Sequence, residues 1–220
     1  LDGVDLVVPA GEVHALVGEN GAGKSTLMKV LSGAIQADAG TIRLDGLPYH
    51  PRNPLEARRA GVTMIYQELS LAPHLSVAEN ILLGLEPSRL GFLRRREMKL
   101  AAAAALEQLG HREIGLDARV GSLPLSARQL VEIARALVVR CRVLVLDEPT
   151  SSLSGEDVER LFALVRRLRQ QRLAIVYISH FLEEVLRVAD RYTVLRDGKT
   201  AGSGAVSDVR AEDLVSLMVG

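Results

Sequence analysis

A glycine-rich segment near the start of the chain has the composition and spacing of a phosphate-binding loop. It fits the pattern G-x-x-x-x-G-K-[ST] and consists of Gly18, Glu19, Asn20, Gly21, Ala22, Gly23, Lys24 and Ser25. Glycines let backbone N–H groups converge on phosphate oxygens, and a helix starting near Gly23 adds its N-terminal dipole. We expect Lys24 to reach the β- and γ-phosphates, Ser25 to bind Mg²⁺ and Thr26 to donate to the α-phosphate.

Two adjacent carboxylates, Asp147 and Glu148, end the apolar run 143–146. Strand ends often carry acids, so a capping or surface role for Glu148 is the alternative. Combined with the phosphate loop, the pair predicts phosphoryl transfer, which depends on positioning and charge neutralisation. We expect Asp147 to hold Mg²⁺, through water, and Glu148 to orient and activate the attacking water.

Two further polar residues follow predicted strands. Gln67 follows the strand predicted at 61–66, and His180 follows the region 174–179. Both are expected at the carboxyl edge of the sheet, where folds of this kind bind ligands. Gln67 can contact Mg²⁺ and the water through its amide, and His180 can donate to the γ-phosphate.

Short β-branched runs alternate with helical stretches, which predicts an α/β fold with a mostly parallel sheet. Strands are expected at 13–17, 61–66, 143–146 and 174–178, and a helix at 24–31 that Gly33 closes. Hairpins are expected at 41–49, around Asp45-Gly46, and from Tyr192 onward, around Asp197-Gly198.

The middle of the chain, from Ser76 to about Val139, carries only helical and loop signals, which predicts a helical lobe inserted into the α/β core. Ser76 and Glu79 form a capping-box pattern, and helices are expected at 97–109 and 128–139. The basic cluster 94–96 is interpreted as a solvated loop.

Length and composition exclude several classes of protein. The chain has 220 residues, 48% of them hydrophobic, and 27 acidic residues balance 27 basic ones. A neutral chain is a poor candidate for non-specific nucleic-acid binding, and the lone Cys141 excludes an internal disulfide framework. No apolar run approaches the roughly 18–20 residues of a membrane span. Because the chain opens at Leu1 and not at Met, we expect it to be a fragment.

The order of motifs resembles that of ATP-binding-cassette (ABC) ATPases over essentially the whole chain. The motifs are GENGAGKST, YQE, the helix ARQLVEIARAL, VLVLDEPTSSLS and YISH. Residues 66–84 and 175–204 are similar to the N-terminal cassette of the tandem ATPases that serve bacterial monosaccharide importers for ribose, galactose or xylose.

The resemblance implies a P-loop NTPase fold: a RecA-like parallel-sheet core, a small antiparallel β subdomain and an inserted α-helical subdomain. One nucleotide-binding domain would fill 1–220, with the core at 1–75 and 140–220 and the helical part at about 76–139. It also implies ATP and Mg²⁺, a peripheral position on the cytoplasmic face of the bacterial inner membrane, and hydrolysis that powers sugar uptake. The implied partners are a second cassette in the same polypeptide, two permease subunits and, indirectly, a periplasmic sugar-binding protein, with no nucleic acid. Its adenine-stacking aromatic residue is expected upstream of Leu1.

Two segments depart from the family pattern. The signature L-S-G-G-Q aligns with residues 123–127, which places Pro124 at the serine and removes a hydroxyl and an N–H. A second register, 125–129, keeps Leu, Ser and Gln but lies two residues closer to the helix. Ser154 stands where the family has aspartate, and we interpret it mainly as a helix N-cap.

Two other functions stay open at this stage. One is a soluble cassette ATPase of DNA repair or translation, which usually carries long insertions or basic surfaces. The other is a regulatory nucleotide-binding cassette with little hydrolysis, against which the intact Lys24, Asp147, Glu148 and His180 argue.

Overall fold

The structure is a computed structural model that describes residues 1–66, 69–89, 91–139, 141–151 and 153–220. Its strands are β1 (Val13–Val17), β2 (Arg43–Leu44), β3 (Leu47–Pro48), β4 (Val62–Ile65), β5 (Ser88–Arg89), β6 (Phe92–Leu93), β7 (Val143–Asp147), β8 (Ala174–Ile178), β9 (Arg191–Arg196) and β10 (Lys199–Ala205). Its α-helices are α1 (Lys24–Leu31), α2 (Pro54–Ala60), α3 (Val77–Leu82), α4 (Arg95–Leu109), α5 (Leu125–Leu137), α6 (Gly155–Gln170), α7 (Leu182–Val188) and α8 (Ala211–Val219).

The main sheet has the strand order β10–β9–β1–β8–β7–β4. Its strands from β9 to β4 run parallel, and β10 pairs antiparallel with β9 at one edge. Every residue of β1 and β8 is buried, and the consecutive apolar residues of β8 are typical of a strand buried on both faces. The expected α/β fold with a mostly parallel sheet is therefore confirmed, and β2 and β3 form a separate small antiparallel pair.

The two predicted hairpins are present, with different extents. The first is shorter than expected, and its turn residues Asp45 and Gly46 have φ of 51° and 77°, as a two-residue type I′ turn requires. The second, β9–β10, forms the antiparallel edge of the main sheet. Helices α2, α7 and α8 were not predicted.

The middle of the chain is mainly helical, and α3, α4 and α5 pack on one another. The expectation of helices and loops alone was wrong, because β5 and β6, strands of two residues each, form a hairpin there. Gly91 lies in its turn with φ 84°. Strands of two residues are too short to show an alternating pattern. Buried side chains of these helices and of β7 and β8 belong to one hydrophobic cluster, so this region shares its core with the sheet.

Local caps define the helix ends that the sequence predicted. Ser76 and Glu79 form the capping box of α3, and the Ser154 side chain accepts a hydrogen bond from the Asp157 N–H at the start of α6. Gly110, with φ 85°, ends α4. Among the described residues, no helix combines the length and the apolar character needed to cross a membrane.

One buried histidine makes the sheet sensitive to acid. His14 in β1 is 3% exposed, and its Nε2 lies 2.8 Å from Thr193 Oγ1 in β9. Burial, reinforced by the positive charge of Arg191, lowers the pKa of His14 to about 4. The folded state therefore holds the ring neutral at a pH where the unfolded chain would protonate it.

We expect the free energy of unfolding to fall as the pH drops. Between about pH 6.5 and 4 the unfolded state binds the additional proton, and this group alone removes roughly 2 kcal/mol of stability between pH 7 and 5. Urea unfolding at both pH values would measure the loss, which should shrink in His14→Gln and persist in His50→Gln at an exposed site. An equal loss in both variants would contradict the assignment to His14.

Candidate active site

The phosphate loop connects β1 to α1 and is shaped by glycines. Gly18, Gly21 and Gly23 have φ of 153°, 87° and 105°, a region that side chains with a Cβ rarely adopt. A Cβ on Gly18 would stand 2.3 Å from the Leu195 carbonyl oxygen of β9, so the loop passes the neighbouring strand without room for a methyl group. No side chain of the described residues caps α1, which leaves its first N–H groups for an anion.

Lys24 lies inside this loop. Its Nζ donates to the carbonyl oxygens of Gly18 and Glu19 at 2.6 and 3.0 Å, and the residue is 9% exposed. Burial lowers the pKa of Lys24, while the nearby carboxylates of Glu148 and Asp147 act in the opposite direction. A buried cation therefore stands at the loop beside two carboxylates, and Ser25 and Thr26, which follow it in the first turn of α1, are exposed.

Asp147 and Glu148 stand at the carboxyl end of β7. Burial and the neighbouring Glu148 raise the pKa of Asp147, and Lys24 opposes this rise. Glu148 has φ 46°, in the left-handed region that a glutamate rarely adopts, and its N–H donates to the Ile178 carbonyl oxygen at 2.9 Å. Strained backbone of this kind occurs where the surroundings hold a functional side chain in place.

His180 faces Glu148 directly. Its Nδ1 lies 3.1 Å from Glu148 Oε1, and the imidazole is about half exposed. The ring also packs against Phe181, with 4.0 Å between the ring centres. The two residues that the sequence assigned to the attacking water and to the γ-phosphate are therefore in contact.

Parallel pairing brings these residues together. Ile178 of β8 lies opposite Leu16 of β1 and Asp147 of β7, so the chain leaves all three strands at the same level. Lys24, Asp147, Glu148 and His180 therefore meet at one edge of the sheet, as predicted. Gln67 lies outside the described residues; Ile65, two positions before it, pairs with Leu146 of β7.

The residues present fit a nucleotide with Mg²⁺. The described residues hold no group of three or more His, Cys, Asp or Glu that could bind a metal by themselves. Mg²⁺ typically takes one or two protein oxygens and shares the rest with substrate phosphates and water. The Asp147 carboxylate and the exposed Ser25 hydroxyl are oxygen donors of this kind.

A buried hydrogen-bond network that sequence reasoning missed supports both catalytic loops. Glu184 of α7 accepts through Oε2 from the hydroxyls of Thr150, Tyr177 and Ser179, at 2.8, 2.9 and 3.1 Å. Thr150 follows Glu148 by two positions, and Ser179 precedes His180. One carboxylate therefore joins the loop after β7 to the loop after β8. Burial, together with this carboxylate, raises the pKa of Tyr177.

The signature segment lies at the start of α5. Pro124 is the N-cap of α5 and makes no side-chain cap, and Ser126 and Ala127 lie in the first helical turn. Arg128 donates to the carbonyl oxygens of Leu123 and Gly121, at 2.9 and 2.8 Å. Gln129 donates to the Pro149 carbonyl oxygen at 2.8 Å, so α5 contacts the loop that follows Glu148.

The fold and the site define a phosphate-loop nucleotide-binding protein, and comparison with known proteins makes this specific. The sequence profile of the ABC transporter family matches residues 1–151. A solved ATP-binding cassette of an ABC transporter superposes with a TM-score of 0.85 at 28% identity, covering 100% of this chain and 92% of that one. Part of an ABC transporter complex from Clostridium perfringens gives 0.82 at 27%, covering 98% and 85%.

The chain belongs to the ABC transporter family, and its fold is that of the family's ATP-binding cassettes. It is 52% identical to the ribose import ATP-binding protein RbsA 2 of Escherichia coli O157:H7, covering 100% of this chain and 43% of that protein. It is 49% identical to the ribose import ATP-binding protein RbsA of Chromobacterium violaceum, covering 100% and 44%. The chain thus spans less than half the length of these curated relatives, and the predicted resemblance is confirmed.

We expect the Glu184 network to control turnover without contacting nucleotide. Glu184→Ala leaves three buried hydroxyls without their acceptor, which costs about 1–3 kcal/mol of stability. It should also slow ATP turnover while ATP still binds, because the phosphate loop is untouched. Chemical unfolding and ATP-binding and turnover measurements would check this. Glu183→Ala, on the exposed side of the same helix, is the matched control; equal effects of both changes would exclude the proposed role of the network.

Proposed function

We propose that this chain is the ATP-hydrolysing cassette of a bacterial importer that takes up a monosaccharide such as ribose. The observation that carries the proposal is the meeting of Lys24, Asp147, Glu148 and His180 at one sheet edge beside the phosphate loop. The class of sugar is supported by relatives that are ribose import ATP-binding proteins, about half identical over the whole chain.

The phosphate loop would bind ATP through backbone and side-chain donors. The N–H groups at the start of α1 would face phosphate oxygens, and Lys24 would exchange its two carbonyl acceptors for the β- and γ-phosphates. Thr26 would donate to the α-phosphate. Ser25, Asp147 and Gln67 would hold Mg²⁺, which neutralises charge on the phosphates when bound.

Glu148 and His180 would carry the chemical step. The Glu148 carboxylate would orient the attacking water and accept a proton from it. His180, in contact with Glu148, donates to the γ-phosphate and helps to fix the direction of the carboxylate. Gln67 contacts the water from the end of β4.

Partners follow from the length of the relatives and from the signature segment. A second cassette in the same polypeptide would complete each nucleotide site. Closure of the two cassettes would drive a conformational change in two permease subunits. The segment after Gln67, from Glu68 to His74, would dock on a permease; among its described residues Ser70, Pro73 and His74 are exposed. A periplasmic binding protein would deliver the sugar, and the cassette would be peripheral to the cytoplasmic face of the inner membrane.

The two alternative functions are supported less well. The names of the relatives favour sugar import over DNA repair or translation. A regulatory cassette with little hydrolysis would not need the contact between His180 and Glu148 that the site contains. Variants of Glu148 distinguish an active ATPase from a regulatory cassette with little hydrolysis.

We expect Glu148→Gln to bind ATP but nearly to abolish turnover. Loss of the group that activates water typically slows a reaction by about 10²–10⁴-fold. Lys24→Ala should weaken ATP binding itself, because it removes the buried cation. Nucleotide-binding titrations and phosphate release measure both effects, with Glu183→Gln as a control that removes an exposed carboxylate. Turnover in Glu148→Gln at the unmodified rate would overturn the assignment.

We also expect the two nucleotide sites of the full protein to differ in activity. Each site pairs the phosphate loop of one cassette with the signature of the other, and Pro124 deprives this chain's signature of a hydroxyl and an N–H. A symmetric pair of this chain would have two deficient sites, whereas a second cassette with an intact signature would repair the site at Lys24.

Phosphate release by this chain alone and by the full-length polypeptide, compared per site at saturating Mg-ATP, would test the asymmetry. The chain alone should be much slower. Equal rates per site would mean that the departure at Pro124 is no handicap and that the asymmetric proposal is wrong.

A further inference from the structure

Side chains of α3 and α5 hold the segment that follows Gln67 at Ser70 and Ala72. We call residues 69–76 the linker segment, since it joins β4 to α3. Ser70 N–H donates to Glu132 Oε1 at 3.2 Å, and Arg135 Nη1 donates to the Ser70 carbonyl oxygen at 3.0 Å. Glu132 and Arg135 stand one turn apart on α5, so one helix face satisfies both polar backbone groups of Ser70.

The same arrangement recurs two residues later. Ala72 N–H donates to Asn80 Oδ1 at 2.8 Å, and Asn80 Nδ2 donates to the Ala72 carbonyl oxygen at 3.0 Å. Asn80 is fully buried on α3. Side chains of α3 and α5 thus bond the N–H and carbonyl groups of Ser70 and Ala72. A neighbouring β-strand would bond the backbone of alternate residues in the same way.

The end of the linker segment pairs with the residues that precede the signature segment. The carbonyl oxygens of Pro73 and Leu75 accept from the N–H groups of Gly121 and Val120, at 2.9 and 3.1 Å. A Cβ on Gly121 would stand 2.9 Å from the Pro73 carbonyl oxygen, so the approach is close. The linker segment is therefore hydrogen-bonded both to α5 and to the short 3-10 helix Val120–Ser122 that precedes it.

Glu132 occupies an unfavourable environment for a carboxylate. It is 6% exposed, and burial raises its pKa, against the opposing effects of the Ser70 N–H and of Arg135. A buried charge costs free energy unless its partners compensate. Among the described residues its Oε1 accepts from the Ser70 N–H, its Oε2 is buried without a hydrogen-bond partner, and Arg135 acts on it through its charge alone. The carboxylate lies beside a cavity of about 240 Å³ between α2, β4 and α5.

We propose that Glu132 and Arg135 are positioning residues that lock Ser70 to α5 and thereby hold the start of the linker segment in place. The proposal rests on the proposed ATPase function of this site. Neither side chain acts on nucleotide; both act through Ser70, three residues from the amide assigned to water and Mg²⁺.

Hydrogen exchange at the Ser70 amide tests the lock itself. In the full-length polypeptide, Glu132→Ala and Arg135→Ala should speed this exchange by about tenfold, the change expected for losing a hydrogen bond to a charged group. Glu132→Gln should retain much of the protection, because its amide oxygen still accepts from the Ser70 N–H. Val131→Ala, which removes buried apolar volume from the same helix, is the control and should leave the Ser70 amide protected.

Turnover tests the positioning role. Glu132→Ala should lower kcat by roughly tenfold without weakening ATP binding, since a displaced group costs rate more than affinity. Glu132→Gln should recover most of the rate. Combining Glu132→Ala with Arg135→Ala should cost little more than either alone, because both act on one residue.

The outcomes separate this proposal from the proposed function. Unchanged Ser70 exchange in Glu132→Ala and Arg135→Ala, or an equal change in Val131→Ala, overturns the lock. Faster exchange with unchanged turnover overturns the positioning role. If the unmodified protein hydrolyses no ATP, the proposed function fails, while the exchange measurement still decides whether Ser70 is locked.

Discussion

The parallel register of β1, β7 and β8 is the constraint on which the site depends. Leu16 and Asp147 both lie opposite Ile178, so the three strands end at one level and release Gly18, Glu148 and His180 at one edge. Side chains alternate between the faces of a sheet, and a slip of one residue would send them to the wrong face. The apolar interiors of these strands therefore fix the positions of the catalytic groups, which themselves contribute little to holding the sheet together.

The charges at that edge support the proposal that a nucleotide would bind together with a divalent cation. Burial lowers the pKa of Lys24 and raises that of Asp147, while each opposes the shift of the other. Phosphates alone would stand beside Asp147 and Glu148, and one ammonium group would offset only part of that repulsion. The Asp147 carboxylate would help to hold a divalent cation there, and the cation would neutralise charge on the phosphates. The strained backbone at Glu148 and the Glu184 network then hold the remaining carboxylate in place.

The sequence predicted the parts of the site that short continuous motifs encode. The phosphate loop, the carboxylates after β7 and His180 are each adjacent to a strand whose apolar run was visible. Long-range contacts leave no such signal: Glu184 is an ordinary helical glutamate until the fold places three hydroxyls around it. Glu132 likewise lies in a helical run, 62 positions from the backbone it holds. The hairpin formed by β5 and β6 was missed because strands of two residues are too short to show an alternating pattern.

Pro124 shows how a functional departure can leave the fold intact. The N–H of an N-cap residue takes no part in the intrahelical hydrogen bonds, so a proline there removes none from α5, and the Pro124 carbonyl oxygen still accepts from the Arg128 N–H at 3.0 Å. Arg128 satisfies the carbonyl oxygens of Leu123 and Gly121, and Gly121 in turn donates to Pro73, so the loop keeps its shape. The segment therefore remains correctly placed while lacking the hydroxyl and the N–H. If the signature serves the nucleotide of a second cassette, as proposed, this loss would fall on that cassette's site and would spare the site that contains Lys24.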